Sequence, residues 1–347
     1  MRRALCAMRT AQSAKPHQLS QQMTTEQTLA KYAKIVETEI TKAISEKEPK
    51  ELYELIRYHM NAGGKRVRPA LCLISSEAVG GNPKDAVPIA AGIEMIHGFS
   101  LIHDDIEDRD EIRRGMPTVW KQFGEALAIN AGDGLYTIAF KTALEQKGKN
   151  ALEAQKIFAD SVLEVCEGQA LDISFENRWD VDEKEYLEMT SHKTGALIEA
   201  SCETGALIGN GKKTEIKALA NYGRKIGIAF QIWDDYIDFA SEKTGKTFGL
   251  DIKKGKKTLI VCHALSRAKG DDRIKLLDIL QTPVDETSDE MVKDAVKILN
   301  KIGSIDYANK IALKLVNEAK SELKVLKNSK AKKILLDFAD FVVKREY

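Results

Sequence analysis

Apolar residues recur at three- and four-residue spacing from about Thr25 onward, and the pattern holds almost to the last residue. Leu29, Tyr32, Ile35, Val36 and Ile40 form the first stripe. Asn61-Ala62-Gly63-Gly64 breaks the next helix. Lys65-Arg66-Val67-Arg68-Pro69 opens the following one, with proline where a first turn accepts it. After the turn at Gly80-Gly81-Asn82-Pro83, Val87 to Asp108 reads as one long helix with apolar residues on every side. Such a helix belongs at the centre of a molecule. Further helices are predicted over 121–147, 151–177, 183–208, 214–240, 256–269, 289–301, 306–325 and 330–343. No alternating stretch predicts a strand, no period repeats and no Gly/Ser linker divides the chain. The expectation is one all-α domain over 25–347, preceded by an extension over 1–24.

Composition narrows the possibilities. The 347 residues are 43% hydrophobic, which suffices for a large core, and only 7 prolines and 6% aromatics favour helix over sheet. A formal net charge of +1 leaves no excess to neutralise nucleic-acid phosphates, so any anion site is local. The cysteines Cys6, Cys72, Cys166, Cys202 and Cys262 are odd in number and form no C-x-x-C pair. Neither a disulfide framework nor a zinc site is indicated, and reduced thiols in a cytoplasmic protein are expected. No apolar run approaches the roughly 18 residues of a membrane span. Met1 to Met23 carries Arg2, Arg3, Arg9 and Lys15 and no acid. That is the composition of a transit peptide for organellar import, and equally of a disordered extension or of a start upstream of Met23.

Two carboxylate clusters carry the chemistry. In Leu101-Ile102-His103-Asp104-Asp105-Ile106-Glu107-Asp108, Asp104 and Asp108 lie about 40° apart on a helix, one turn above each other. Stacked like charges destabilise an apolar helix unless a cation sits between them. Oxygen-only donors select a hard ion, magnesium or manganese. The same spacing recurs at Asp234, Asp235 and Asp238, flanked by Phe230-Gln231-Ile232-Trp233, which is not the composition of a solvated face. Magnesium commonly shares its shell with substrate phosphates. The complementary cations are present: Lys65 and Arg68 after a Gly-Gly turn, Arg113 and Arg114 after the first cluster, and Lys193, Lys246 and Lys256 beside Gly or Thr.

These residues resemble the trans-isoprenyl diphosphate synthases, the geranylgeranyl and farnesyl diphosphate synthase family. The matching strings are Gly63 through Pro69; His97 through Asp108 with Arg113-Arg114-Gly115; Gly168-Gln169; Lys193-Thr194-Gly195; Gln231 with the second cluster; and Gly245-Lys246 through Asp251 to Gly255-Lys256. The resemblance implies a bundle of ten or more helices around a deep central cavity, usually a homodimer. It implies that Asp104, Asp105, Asp108, Asp234, Asp235 and Asp238 hold magnesium, about three ions in the substrate complex. Arg113, Lys193, Thr194, Gln231, Lys246 and Lys256 would hold an allylic diphosphate. Lys65, Arg68, His97 and Arg114 would hold isopentenyl diphosphate. Asp104, Asp105, Asp108, Asp234, Asp235 and Lys193 make up the expected catalytic set.

The helix leading into Asp104 would also limit product length. Ser100, four residues back, is small and shares the face of Asp104, while Phe99 is bulky. A single aromatic there resembles the archaeal-type geranylgeranyl synthases and predicts a twenty-carbon product, with farnesyl or longer products as the alternative. A class I terpene cyclase would not need Lys65, Arg68 and His97, and a noncatalytic subunit of a heteromeric synthase usually loses its aspartates. A di-iron bundle would need Glu-x-x-His pairs. His103 reads as structural. Gln169 and Asp172 read as a metal-water pair or an ordinary polar pair, and Lys253, Lys254 and Lys257 as solvated neighbours of Lys256. Two departures from the family pattern touch closure of the site: Leu259 is not followed by proline, and the tail Lys344-Arg345-Glu346-Tyr347 is only loosely basic.

Overall fold

The computed structural model describes residues 24–240 and 249–344. Residues 1–23, Lys246 and the last three residues therefore lie outside the described residues. Helix α1, Thr25–Ala43, begins where its stripe begins, because Thr24 caps it reciprocally. The Gln27 N–H donates to Thr24 Oγ1 at 3.2 Å, and the Thr24 N–H donates to Gln27 Oε1 at 3.0 Å. Then come α2 (Lys50–Asn61), α3 (Val67–Ala78) and the predicted long helix, α4 (Val87–Glu107). Ile89, Ala90, Ala91, Ile93, Met95 and Ile96 of α4 are all inaccessible to solvent. Its apolar sides face α1, α3, α6 and α9, which answers the sequence pattern directly. By length and composition the Pro83–Glu107 segment is apolar enough to cross a membrane, contrary to expectation, but 61% of its most apolar stretch is buried inside this bundle.

A two-stranded hairpin, β1 (Ile112–Arg113) with β2 (Met116–Pro117), follows, and no alternation announced it. Its turn residues Arg114 and Gly115 both have positive φ, 53° and 77°, as a type I′ turn requires. The helix predicted over 121–147 is two: α5 (Val119–Phe123) and α6 (Glu125–Ala143), parted at Gly124, whose φ is 90°. Helix α7 (Ala151–Phe175) precedes a continuous helical segment over 183–208. Within it α8 (Glu183–Thr190) and α9 (Ala196–Ile208) are joined by a wider π-turn at Ser191–Gly195.

The bundle is completed by α10 (Lys213–Ala240), α11 (Leu250–Lys253), α12 (Leu259–Arg267), α13 (Gly270–Gln281), α14 (Asp289–Ile302), α15 (Ser304–Glu322) and α16 (Lys330–Val342). Helix α13 was not predicted. Its buried stripe is one turn long, Leu276, Ile279 and Leu280, and Ile274 faces solvent at 68% exposure. Among the described residues the chain is all-α apart from the hairpin.

Candidate active site

A cavity of about 970 Å³ opens between α4, α7, the π-turn and α10. Lys65, Arg68, His97, Phe99, Ser100, Asp104, Arg114, Lys193, Thr194, Gln231 and Asp234 all line it. Two aspartates 130 residues apart in sequence thus face one space.

The remaining residues of the clusters are held by the protein. Asp105 turns away from Asp104, as a helical neighbour must, and accepts Arg113 Nε at 2.5 Å. Its Oδ2 is buried without a hydrogen-bond partner. Asp235 is buried; Tyr186 donates its hydroxyl to Oδ2 at 2.7 Å and Gln231 Nε2 donates to Oδ1 at 2.9 Å. Asp238 Oδ2 accepts the Asp251 N–H at 3.1 Å. Asp108 reaches across to Lys256, whose Nζ stands 3.4 Å from Oδ2.

Burial pushes the Asp104 carboxyl up to about 6; the nearby Lys193 ammonium opposes this, while Asp108 and Glu107 add to it. Burial likewise raises Asp235 and Asp251, and the neighbouring aspartates of the second cluster reinforce the shift at Asp251. Sequence reasoning assigns Asp251 no role of its own. Its place between Asp238 and Lys256 comes from the short α11, which no periodicity marks. Among the described residues no three carboxylate, His or Cys side chains converge on one point. Oxygen-only donors suit a hard cation, which commonly shares its shell with ligand oxygens. The orphaned Asp105 oxygen and the crowded, desolvated aspartates fit such a cation.

The cations form two groups. Lys193 Nζ donates to Asp172 Oδ2 at 2.6 Å. Burial works against its charge, but Asp104 and Asp172 outweigh this and its pKa lies above the ordinary lysine value. Thr194 Oγ1 donates to Gln231 Oε1 at 3.1 Å. Arg113 lies off the cavity on Asp105, whereas Arg114, carried by the hairpin turn, donates to the Gly63 carbonyl. There it meets Arg68, whose Nε is buried with no partner, and His97. Burial, with Arg68 and Arg114 beside it, holds His97 well below its usual pKa, so the ring is neutral. Lys65 is exposed, 3.7 Å from Glu26 and over the Phe341 ring.

Sequence reasoning passed over the anchor of this loop. Arg66, at φ 45°, buries its guanidinium to donate to Glu94 Oε1 (2.9 Å) and to the Met60 carbonyl (2.6 Å), fixing Lys65 and Arg68 on either side. Tyr186 was also missed, being one apolar position among many. His103, read from the sequence as structural, lies against Phe99, with ring centroids 4.7 Å apart, and fills the space left by Gly132, but it also lines the cavity. Gln169 donates to Glu107 at 2.5 Å. The lysines beside Lys256 are not solvated neighbours. Lys257 is buried over the Trp179 ring and donates to the Glu176 carbonyl (2.6 Å), while Lys254 holds Asp110 at 2.6 Å and Lys253 holds Asp289 at 2.7 Å. A chain that turns sharply at Gly255 leaves these side chains on separate faces.

A profile of the polyprenyl synthetase family matches residues 49–299. The chain belongs to the polyprenyl synthetase family. It is 47% identical over 322 residues to the short chain isoprenyl diphosphate synthase of Methanothermobacter thermautotrophicus, covering 92% of this chain and 98% of that protein. It is 42% identical to the geranylgeranyl diphosphate synthase of Methanosarcina mazei, covering 90% and 95%. The crystal structure of geranylgeranyl pyrophosphate synthetase from Pyrococcus horikoshii Ot3 superposes with a TM-score of 0.89 at 44% identity, covering 93% of this chain and 98% of that one. As a polyprenyl synthetase, the chain is a prenyltransferase with the all-α fold of isoprenyl synthases.

Proposed function

We propose that this polyprenyl synthetase condenses isopentenyl diphosphate with dimethylallyl, geranyl and farnesyl diphosphates, and that its main product is geranylgeranyl diphosphate. One observation carries the reading: an acidic gap (Asp104, Asp234) and a recess with two guanidinium groups (Arg68, Arg114) beside the neutral His97 open on the same cavity. A single-diphosphate enzyme needs only the first.

Magnesium, held by Asp104, Asp108 and Asp234 with the other three aspartates, about three ions in all, would neutralise charge on the departing diphosphate. Lys193, Thr194, Gln231 and Lys256 hold the allylic diphosphate from the other side, with Arg113 bracing Asp105; the family motif assigns the same task to Lys246, which lies outside the described residues. Their charges and donors strengthen as the carbon–oxygen bond breaks and negative charge gathers on the leaving oxygen. Lys65, Arg68, His97 and Arg114 orient isopentenyl diphosphate so that its double bond meets the allylic cation. The new carbon–carbon bond forms, and the proton lost from the isopentenyl unit goes to the released diphosphate. Val165, Ile173, Ile198 and Phe230 line the rest of the cavity and exclude water, which would convert the cation to an alcohol.

Phe99 supports the twenty-carbon product. Its ring stands edge-on to Tyr136 (5.1 Å), Tyr136 meets Phe140 (4.9 Å), and Phe140 meets Phe158 (5.0 Å), so the floor beneath Ser100 is backed by three more rings. A homodimer is supported by exposed apolar residues on α6 and α7, among them Leu127 and Leu163. Ile173, 44% exposed, also lines the cavity, so a second copy seated there completes its wall. A cytoplasmic location goes with this reading, where both charged substrates are soluble.

The test is incubation of the purified protein with isopentenyl diphosphate and each allylic primer, with and without magnesium. Twenty-carbon product formed only with magnesium is expected, and lost in Asp104→Asn and Asp234→Asn. A product mainly of fifteen carbons, or longer than twenty, would overturn the chain length; activity that survives the substitutions would overturn the metal assignment.

A further inference from the structure

The π-turn carrying Lys193 and Thr194 is anchored from the side away from the cavity. The carbonyl of Ser191, its first residue, accepts the Ala196 N–H, the five-residue bond that widens the turn. In an ordinary α-turn the acceptor would be matched four residues on. The same carbonyl accepts a second bond from Arg224 Nη1 at 2.9 Å. That nitrogen lies 2.8 Å from Glu164 Oε2 on α7, and Arg224 Nε donates to Glu199 on α9. One guanidinium on α10 therefore ties together α7, α9 and the open turn between α8 and α9.

The surrounding backbone is shaped for this turn. A Cβ on Gly168 of α7 would run into the Lys193 backbone nitrogen. A Cβ on Gly227 of α10 would stand 2.7 Å from Gly195 Cα, and one on Gly195 would stand 3.1 Å from Arg224 Cδ. The turn is thus pressed between two glycine faces with the Arg224 stem along it. None of Arg224, Glu164 and Glu199 lines the cavity, yet their side chains are only 25%, 32% and 22% exposed. A half-buried charge triad is a weak source of stability, since apolar side chains of similar volume often do as well. Its distinctive effect here is the second bond to Ser191.

We propose that Arg224 is a positioning residue for the allylic diphosphate: by holding the Ser191 carbonyl in the wide turn, it presents Lys193 and Thr194 together to the cavity. The inference rests on the reading of Lys193 and Thr194 as ligands of that diphosphate.

The test is steady-state kinetics of Arg224→Met and Arg224→Lys, each alone and combined with Lys193→Ala, with folding followed by circular dichroism. Arg224→Met is expected to raise the KM for geranyl diphosphate about tenfold, with the KM for isopentenyl diphosphate within about twofold of the parent. In the Lys193→Ala background it should add little, because both changes disable one device. Arg224→Lys should fall between, as its ammonium reaches Ser191 without bridging both glutamates. Fully additive effects, or equal losses for the two substrates, would overturn the proposal. Should Arg224→Met not fold, the same cycle with Arg224→Lys decides. If Lys193→Ala itself leaves the geranyl diphosphate KM unchanged, the ligand reading fails and the inference falls with it; failure confined to the Arg224 variants leaves that reading standing.

Discussion

Lys256 and Asp108, 148 positions apart in sequence, meet with Nζ 3.4 Å from Oδ2, so the segment after the second aspartate cluster is pinned to the end of the first. Burial works against the Lys256 charge, but Asp108 and Asp251 outweigh it and raise its pKa. The same pattern recurs at Lys193 with Asp172 and at Arg113 with Asp105. Among the described residues, the cations expected on the allylic diphosphate, Arg113, Lys193 and Lys256, each rest on a carboxylate. Substrate and metal arriving together would exchange these internal pairs for stronger ones.

Lys256→Gln should therefore lower kcat/KM about 100-fold while leaving isopentenyl diphosphate binding intact, because one donor to the leaving group is lost. Steady-state kinetics with each substrate varied measures this. An unchanged kcat, or a raised KM for isopentenyl diphosphate, would contradict the assignment.

Tyr186→Phe removes the hydroxyl that donates to buried Asp235. A hydrogen bond to a charged group, left unmade, costs about 2 kcal/mol, which lowers the melting temperature by about 3 °C in a chain of this size. Circular dichroism melting checks this. An unchanged melt would mean that Asp235 is protonated or rehydrated in the folded state.

Gly168→Ala forces a Cβ into the backbone of the π-turn. Overpacking of this kind costs about 1–3 kcal/mol, and the displaced turn carries Lys193 with it. The KM for the allylic substrate should rise more than that for isopentenyl diphosphate.

Magnesium should stabilise the protein more at pH 7 than at pH 5. The Asp104 carboxyl is raised by burial from the ordinary value near 4 to about 6 in the folded chain. A raised acid contributes stability below its unfolded pKa and loses it as pH rises through the folded value. Above about pH 6 the metal-free protein thus carries a buried carboxylate that Lys193 offsets only in part, and magnesium with inorganic diphosphate would supply the rest. The rise in melting temperature on adding both should grow between pH 5 and pH 7, and Asp104→Asn should flatten that growth. An equal rise at both pH values would count against this account.

Phe99→Ala should lengthen the product by one isoprene unit and Phe99→Ala with Tyr136→Ala by more, because Tyr136 backs the Phe99 ring. Chromatography of the dephosphorylated products reads this out. A single variant that already gives the longest products would mean that Phe99 alone closes the floor.

Much of this protein was legible in its sequence because helices and helix-borne ligands are local. The unbroken apolar girth of Val87–Glu107 announces a central helix, and the i, i+1, i+4 spacing of Asp104, Asp105 and Asp108 decides that Asp104 and Asp108 share a face while Asp105 turns aside. The motif strings likewise pointed to most of the cavity lining. Three things depended on the tertiary structure. The hairpin that aims Arg114 rests on positive φ at two turn residues, which no apolar pattern encodes. The π-turn under Lys193 exists because Gly168, Gly227 and Arg224 meet it from other helices. Tyr186, Asp251 and the Arg66–Glu94 pair act across 13 to 49 residues of intervening chain. Spacing along one helix is set by its own 3.6-residue geometry, whereas contacts between helices depend on how the whole bundle packs.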